Sequence, residues 1–254
     1  MPNALDLAVI GGTGLYQLAS LEDAQRITAP SRWGEPSGPV VVGRIGAARV
    51  AFLARHGESH SIAPHRINYR ANVWALRELG AKRIIGINAV GGIAPRMGPR
   101  TLVVPHQVID YTHGRYTSFG DAEGEAVLHI DFGEPYVESL RARLLAAAAA
   151  RGIAVVDGGV HGVTQGPRLE SVAEVVRMAR DGCDLVGMTA LPEAALAREL
   201  GLRYGMLAMV VNRAAGLSPE PITLAAIRRE AAACLAQVDA TLERLAALLA
   251  SGWE

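Results

Sequence analysis

The sequence has little that would point to an oxidising compartment or to a charged partner. Its 254 residues include only two cysteines, and neither belongs to a Cys-x-x-Cys pair. This disfavours a disulfide framework and a zinc ribbon, so we expect a cytoplasmic protein. The 25 basic residues balance the 25 acidic residues, which leaves no electrostatic footprint for nucleic acid or an anionic membrane.

Long apolar runs are also missing. The longest, such as Leu144–Ala150, are too short and too rich in alanine to cross a bilayer. The first residues show no basic segment followed by an apolar one, so we expect no signal peptide. Neither a transmembrane protein nor a secreted one is expected from these patterns.

What the sequence does contain is a regular alternation of strands and helices. Strands are predicted at 5–10, 39–44, 49–54, 83–87, 102–105, 107–110, 153–156, 159–164, 183–186 and 207–211, and helices at 64–79, 135–151, 171–180, 192–200 and 224–249. Residues 21–38 are predicted to be irregular because prolines interrupt them. The strands 39–44 and 49–54 are predicted to form a hairpin over Gly46, and Thr223 is predicted to cap the last helix. This alternation predicts an α/β fold with a mixed, partly parallel sheet flanked by helices. No linker or repeat divides the chain, so we predict a single domain over residues 1–254.

Glycines and polar side chains follow four of the predicted strands. These positions are Thr13, Arg55 with His56, Asn88 with Ala89, and Met188 with Thr189. Open α/β sheets bind ligands at the carboxyl ends of their strands. Glycine turns, a guanidinium fork and a hydroxyl at the start of a helix all bind oxyanions. The coincidence of four such ends predicts an anion site, most simply for phosphate, without a P-loop.

Each motif alone has a plainer explanation. Thr189 could merely cap a helix, and Gly11–Gly14 could be a bare tight turn, because it matches neither GxGxxG nor the P-loop pattern. His56, His60 and His65 could be read as metal ligands. Their spacing fits no standard zinc pattern and no carboxylate or cysteine pair completes it, so no metal site is expected.

Five segments together resemble the trimeric nucleoside phosphorylases, in particular the methylthioadenosine/methylthioinosine branch of that family. They are IGGTGL at 10–15, LARHG at 53–57, NYRANVWAL at 68–76, QGPR at 165–168 and GMTALPEA at 187–194. The resemblance spans nearly the whole chain and implies a homotrimer that binds a nucleoside and inorganic phosphate, with no other cofactor. The residues that it implies for phosphate are Thr13, Arg55, His56, Asn88, Ala89 and Thr189. It also implies that Met188 contacts the ribose, and it differs at Asn88, where the adenosine-type enzymes carry threonine.

The residues expected at the purine base differ from those of adenine-specific members. Those members have Asp-x-Asp where this chain has Asn212, Arg213 and Ala214, and they lack a carboxylate at Glu170. An ionised Glu170 only accepts hydrogen bonds and suits the N1–H of a 6-oxopurine, whereas the Asn212 amide can donate to O6 and N7. A mismatched buried pair costs about 1–3 kcal/mol, so hypoxanthine is favoured over adenine. Glu170 could instead be only a charge at the start of the helix 171–180.

The last strand is followed by a segment without histidine. Inosine and guanosine phosphorylases place a histidine near the 5′-hydroxyl there, whereas residues 221–227 of this chain are largely apolar. Leu224 and Ile227 can face one pocket at helical spacing, and such a pocket favours a methylthio group over a hydroxyl. Both could equally be ordinary core residues.

These observations predict a pentosyltransferase of purine salvage that cleaves S-methyl-5′-thioinosine with phosphate. His56 and Thr189 would position the phosphate, and Asn212 would stabilise the negative charge that builds on the purine. Three alternatives stay open: a general inosine/guanosine phosphorylase, a methylthioadenosine phosphorylase, and a catalytically silent nucleoside- or NAD-binding module. The last would need Glu35 as its ribose-binding acid, which the spacing hardly allows.

Overall fold

The computed structural model describes residues 4–29, 31–121 and 124–252, so the first three residues, where no signal peptide is expected, lie outside it. The strands are β1 Leu7–Gly11, β2 Glu22–Ile27, β3 Val40–Ile45, β4 Ala48–Ala54, β5 Arg83–Gly92, β6 Leu102–Val104, β7 Gln107–Tyr111, β8 Val155–Asp157, β9 Val160–Thr164, β10 Leu185–Gly187 and β11 Arg203–Arg213. The helices are α1 Tyr69–Glu78, α2 Glu138–Ala149, α3 Val172–Arg180, α4 Ala190–Glu199 and α5 Leu224–Ala250. Short 3₁₀ turns lie at Pro64–Arg66 and Phe119–Asp121.

All of these strands belong to one mixed sheet. Its main path runs β2-β3-β4-β1-β5-β10-β9-β7. In addition, β11 pairs with β5, β6 pairs with β11, and β8 pairs with β6. The central pairs β4–β1, β1–β5 and β5–β11 are parallel. β3 and β4 form the expected antiparallel hairpin over Gly46, which has a positive φ. The predicted single α/β domain with a mixed sheet is confirmed.

Helices cover both faces of the sheet, and the strand sequence explains how. Along β1, Ala8 and Ile10 pack on the side of α1 and α4, whereas Leu7 and Val9 pack on the side of α2 and α5. Successive side chains of a strand point to opposite faces, so a strand buried on both sides must be apolar throughout. None of the helices that the structure describes combines the length and apolar composition needed to cross a membrane.

Three predictions about local structure are wrong, for different reasons. The segment 21–38 contains a strand, β2, whose polar sequence EDAQRI gave no apolar alternation because it lies exposed at the sheet edge. The stretch 88–92 does not follow the strand predicted at 83–87 but is the second half of the same strand, β5, held in register by β11. The predicted helix 64–79 is also divided, since α1 begins only after Asn68, whose side chain caps it.

Candidate active site

A cavity of about 370 Å³ opens where the carboxyl ends of β1, β4 and β10 meet the middle of β5 and the end of β11. Ten residues predicted for the site line it: Thr13, Arg55, His56, Ala89, Glu170, Met188, Thr189, Asn212, Leu224 and Ile227. A more open depression of about 520 Å³ lies between the β3–β4 turn and the end of α5, and it contains none of them. The predicted residues, distant in sequence, therefore converge on one cavity.

Three predicted residues do not reach this cavity. Asn88 lies just beneath its wall and is buried. Arg213 turns away and donates from Nη1 to the carbonyl oxygens of Ala94 and Met97, at 2.7 and 3.1 Å. Ala214 is buried and packs in a small apolar cluster with Ile93 and Val186. The sequence suggested substrate contacts for Arg213 and Ala214, but neither lines the cavity. Adjacent residues of a strand point to opposite faces, which turns the Arg213 side chain away from that of Asn212.

Arg55 is fully buried and forms a two-armed ion pair with Glu193, which is also fully buried. Its Nε and Nη2 donate to the two carboxylate oxygens at 2.5 and 3.0 Å. Burial opposes the guanidinium charge, but the attraction of Glu193 outweighs it, so the pKa of Arg55 is raised above its ordinary value. The Tyr204 hydroxyl donates to the same carboxylate at 2.8 Å, and burial followed by Glu193 raises its pKa as well.

Other N–H groups of the Arg55 guanidinium donate to backbone carbonyls of β1 and β5. Nη2 donates to the Ile10 carbonyl and Nη1 to the Ile87 carbonyl, at 3.3 and 3.0 Å. A guanidinium has five N–H groups, so one hydrogen on Nη1 has no partner among the described residues and is available to a ligand. A Cβ on Gly12 would lie 2.8 Å from Nη1. The glycine turn after β1 therefore makes room for this arginine.

Thr189 and Asn88 form a buried pair at the same end of the cavity. The Asn88 amide donates to the Thr189 Oγ1 at 2.8 Å. Because the hydroxyl oxygen accepts this bond, its own hydrogen is free to point elsewhere. Thr189 precedes α4, but its side chain makes no cap hydrogen bond. The plain capping role considered for it from the sequence is therefore wrong.

His56 is neutral near pH 7 in this arrangement. Burial, and secondly the positive charge of Arg55, lower its pKa to about 4. Its Nδ1 lies 2.9 Å from the Ile62 carbonyl, which can only accept, so Nδ1 carries the proton and Nε2 is a hydrogen-bond acceptor. His56 therefore offers a lone pair to a protonated oxyanion such as monohydrogen phosphate.

Glu170 stands at the opposite end of the cavity, directly before α3. The Thr164 hydroxyl donates to its carboxylate at 2.6 Å, which fixes its direction. The start of α3 is completed by Ser171 and Glu174, whose side chains and backbone N–H groups bond reciprocally. Glu170 is thus not needed as a helix-start charge, and its carboxylate faces the cavity.

Asn212 owes its position to an irregularity in β11. Between Val210 and Asn212 the register against β5 shifts by one residue, so that Asn212 pairs with Gly91. Such a bulge re-aims the side chains that follow it. A Cβ on Gly91 would lie 3.3 Å from the Asn212 Nδ2, so the glycine leaves space for the amide. The amide donates to the Arg213 carbonyl at 2.8 Å and keeps its oxygen and one hydrogen for a ligand.

The first turn of α5 supplies an apolar wall. Thr223 caps this helix by accepting the N–H of Ala226, as predicted, and it places Leu224 and Ile227 on the cavity. Leu224 is 53% exposed, so it lies at the mouth. His60 also lines the cavity, which the sequence did not indicate, and it approaches the Arg228 charge of α5.

Two of the histidines considered as metal ligands lie side by side at the cavity. The rings of His56 and His60 lie 4.6 Å apart and tilted, with the His56 Nδ1 occupied by a backbone carbonyl. Among the residues described, no group of three histidine, cysteine or acidic side chains could hold a metal ion.

Glu193 is a residue that sequence reasoning missed as part of the site. The only signal was an acidic residue inside the apolar run ALPEAAL, at a place where a buried carboxylate needs a partner. Its partner Arg55 lies 138 residues away in the sequence. Nothing local could have paired them.

The chain belongs to the phosphorylase superfamily, whose family model matches residues 6–247. A probable S-methyl-5′-thioinosine phosphorylase from Xanthomonas campestris pv. campestris is 52% identical over 97% of this chain and 96% of that protein. Another protein of that description, from Xylella fastidiosa strain 9a5c, is 57% identical over 83% and 89%. A methylthioadenosine phosphorylase from Schistosoma mansoni, solved with adenine, superposes with a TM-score of 0.91 at 31% identity, over 98% and 93% of the two chains. The resemblance to nucleoside phosphorylases is confirmed.

Proposed function

We propose that this chain, as a single domain over residues 1–254, is a pentosyltransferase that cleaves S-methyl-5′-thioinosine with inorganic phosphate. The products are hypoxanthine and 5-methylthioribose 1-phosphate. The observation that carries the proposal is the presence of Glu170 and Asn212 in the same cavity as Arg55, His56 and Thr189. The names of the Xanthomonas and Xylella relatives support the same substrate.

The phosphate end would be formed by Thr13, Arg55, His56, Ala89 and Thr189. The remaining Nη1 hydrogen of Arg55 and the hydroxyl hydrogen of Thr189 would donate to phosphate oxygens. The neutral His56 would accept the P–OH hydrogen of monohydrogen phosphate. Asn88 would not contact the phosphate itself but would orient the Thr189 hydroxyl through its hydrogen bond. Because Glu193 neutralises Arg55, oriented hydrogen bonds rather than net charge would hold the anion.

The base end favours a 6-oxopurine. The Glu170 carboxylate accepts from Thr164 and can accept also from the purine N1–H, whereas it repels the N1 lone pair of adenine. The Asn212 amide has a hydrogen free for O6 or N7. The S. mansoni enzyme was solved with adenine, and the Glu170 and Asn212 pair is the feature that argues against the same base here.

The sugar end is less strictly defined. Met188 lines the cavity beside Thr189 and would contact the ribose, while Leu224 and Ile227 would pack against the methylthio group. His60 in the same cavity favours a second candidate, a general 6-oxopurine nucleoside phosphorylase, because an imidazole can bond a 5′-hydroxyl.

The reaction follows from these positions. A phosphate oxygen attacks C1′ while the C1′–N9 bond breaks, and its electron pair passes to the purine. The anion that forms on the base is stabilised by Asn212 at N7 or O6, and a proton from solvent completes hypoxanthine. Fixing phosphate and nucleoside in one cavity supplies the proximity that the displacement needs.

Assembly and location follow from the resemblance alone. We propose a cytoplasmic homotrimer, and light scattering of the purified chain measures its assembly directly. A mass of one or two chains would contradict the trimer.

The test is base release from methylthioinosine, inosine and methylthioadenosine, each with and without phosphate. Phosphate-dependent turnover of methylthioinosine well above the other two is expected. Equal turnover of inosine would establish the general 6-oxopurine phosphorylase instead. Preference for methylthioadenosine would refute the roles of Glu170 and Asn212. Tight nucleoside binding without turnover or any effect of phosphate would indicate a silent binding module.

A further inference from the structure

Arg115, in the loop after β7, belongs to none of the motifs discussed so far. Its Nη1 donates to the carbonyl oxygens of Met188 and Leu191, at 2.8 and 2.7 Å. Its Nη2 donates to the carbonyl oxygens of Thr164 and Gln165, at 3.1 and 2.8 Å. One guanidinium therefore joins the segment after β10 to the segment after β9.

Two further bonds fix its direction. Nε donates to the Gln165 side-chain oxygen at 3.1 Å, and Nη1 lies 3.3 Å from the Tyr69 hydroxyl. The guanidinium is about half-buried and its partners are neutral, so its contribution is geometric rather than an ion pair. Buried backbone carbonyls need hydrogen-bond donors, and here the side chain of Arg115 donates to four such carbonyls.

The two segments carry different walls of the cavity. β9 and β10 pair in parallel as far as Val163 and Gly187, and the Thr164 hydroxyl lies 3.3 Å from the Gly187 carbonyl oxygen. Thr164, at the end of β9, also holds the Glu170 carboxylate at 2.6 Å. The segment after β10 carries Met188 and then Thr189, both of which line the cavity. Arg115 is bonded to both segments and so fixes one relative to the other.

We infer that Arg115 is a positioning residue that sets the distance between Glu170 and the Met188–Thr189 wall, and thereby the discrimination between 6-oxo and 6-amino purines. This inference rests on the proposed function. Arg115 need not touch the substrate, since it acts through the backbone of the two walls. A shift of about 1 Å in a supporting group can cost up to about a hundredfold in rate.

Lysine cannot replace this arginine. An ammonium group carries three donors at one point, whereas the guanidinium spans both walls with a planar fork of five. Arg115→Lys keeps the charge and removes the span. We expect the ratio of kcat/KM for methylthioinosine to that for methylthioadenosine to fall by at least about tenfold.

The matched control is Arg141→Lys. Arg141 is a buried arginine that likewise donates to two backbone carbonyls, those of Pro105 and Val104, at 2.9 and 3.4 Å, but it lies outside the cavity. It differs from Arg115 in that it also pairs with Glu138 and Asp157. Both variants should lose thermal stability. Only Arg115→Lys should change the substrate ratio, because a smaller folded fraction scales both rates equally.

Calorimetric binding of hypoxanthine and of adenine, in saturating phosphate, gives a second readout that needs no turnover. Arg115→Lys should reduce hypoxanthine affinity more than adenine affinity. Gln165→Leu removes the acceptor of the Arg115 Nε and of the His113 backbone N–H but leaves the four carbonyl bonds of Arg115 in place. It gives a milder variant if Arg115→Lys does not fold, and a smaller change in the same direction is expected. Unchanged ratios in the folded variants would overturn the inference. Failure of the wild type to cleave methylthioinosine would refute the proposed function, whereas the binding ratios would still judge Arg115.

Discussion

The two ends of the cavity are built differently. At the phosphate end, Arg55 is completely buried and four of its five N–H groups bond to partners in the protein, while the buried Asn88 amide donates to Thr189. At the nucleoside end, Glu170 and Asn212 are half-buried, and each side chain makes a single hydrogen bond within the described part of the protein. The Glu170 carboxylate accepts from the Thr164 hydroxyl, and the Asn212 amide donates to the Arg213 carbonyl.

This difference indicates that the phosphate end is the preorganised part of the site. Fixed donors in a dry environment stabilise developing charge strongly, because they need no reorganisation during the reaction. The half-buried side chains of the nucleoside end make few protein contacts, so substitutions there should change the free energy of unfolding little, as surface substitutions usually do. We therefore expect changes at the phosphate end to affect folding and phosphate binding, and changes at the nucleoside end to affect mainly substrate choice.

Glu193→Gln tests this contrast most severely. The change leaves the buried guanidinium of Arg55 without its counter-charge, which should lower the free energy of unfolding by about 3–5 kcal/mol. Glu170→Gln, at the other end, should change it by less than about 1 kcal/mol. Urea unfolding of the two variants measures both. Equal losses would show that the two ends do not differ in stability.

Acid should reveal the neutral histidines of the buried end. Burial, then the Arg55 charge, lowers the pKa of His56 to about 4 and that of the fully buried His161 to about 3. Below the ordinary value of 6.5 the unfolded chain binds more protons than the native one, so stability falls as pH decreases through this range. Between pH 6.5 and 5 the expected loss is about 2–3 kcal/mol for the two histidines together.

His161→Asn removes one of these titrations. Its loss between pH 6.5 and 5 should be about half that of the wild type, as measured by urea unfolding at the two pH values. An identical pH dependence in the variant would assign the acid sensitivity to other groups.

Thr189→Val separates phosphate binding from stability. A hydrogen bond to a charged ligand contributes about 1.5–3 kcal/mol, so the KM for phosphate should rise about ten- to hundredfold. Thr241→Val is the control, since Thr241 is a buried threonine outside the cavity that donates to the Gln237 carbonyl. A rise in phosphate KM of the same size in both would mean that Thr189 acts only on the fold.

Asn212→Asp tests the base contact. Replacing the amide donor with a carboxylate opposes O6 and suits the N6 amino group, so preference should move toward 6-aminopurines by about tenfold or more. Competition between methylthioinosine and methylthioadenosine gives the ratio. An unchanged ratio would remove Asn212 from the selectivity argument.

Leu224→Ser should have the smallest effect. Leu224 is 53% exposed at the mouth, so only part of its apolar surface can contact the methylthio group. A loss of roughly one buried methylene, about 0.8 kcal/mol, predicts an approximately fourfold fall in kcat/KM for methylthioinosine relative to inosine. Leu217→Ser, an exposed leucine outside the cavity, should leave this ratio unchanged.

The pattern of strands and helices was largely predictable because it depends mainly on residues that are neighbours in the sequence. The apolar strand 5–10, the Gly46 hairpin and the Thr223 cap each depend on neighbouring residues, and all three occur in the structure. The polar edge strand β2 could not be recognised, because its pairing with β3 stabilises it without an apolar pattern of its own.

The candidate site was predictable to the extent that it sits at strand ends. Parallel strands bring their carboxyl ends to one edge of a sheet, so Thr13 and Arg55, which follow β1 and β4, could be grouped before their distances were known. Thr189 could not be placed by this rule, because β10 runs antiparallel to β5 and reaches the cavity from the opposite direction. The bulge before Asn212 turns its side chain toward the cavity and that of Arg213 away from it, and Ala214 does not line the cavity either. A shift of one residue in register exchanges the two faces of a strand.

The sequence by itself determined the types of element, the glycines at the phosphate end and the chemical character of the cavity. The tertiary structure alone decided the partners: Arg55 with Glu193, Asn88 with Thr189, and Arg115 across two walls. These pairs are separated by 138, 101 and 50–73 residues, respectively. Such contacts depend on the order and register of the strands, which are fixed only when the whole sheet forms and packs against the helices on both of its faces.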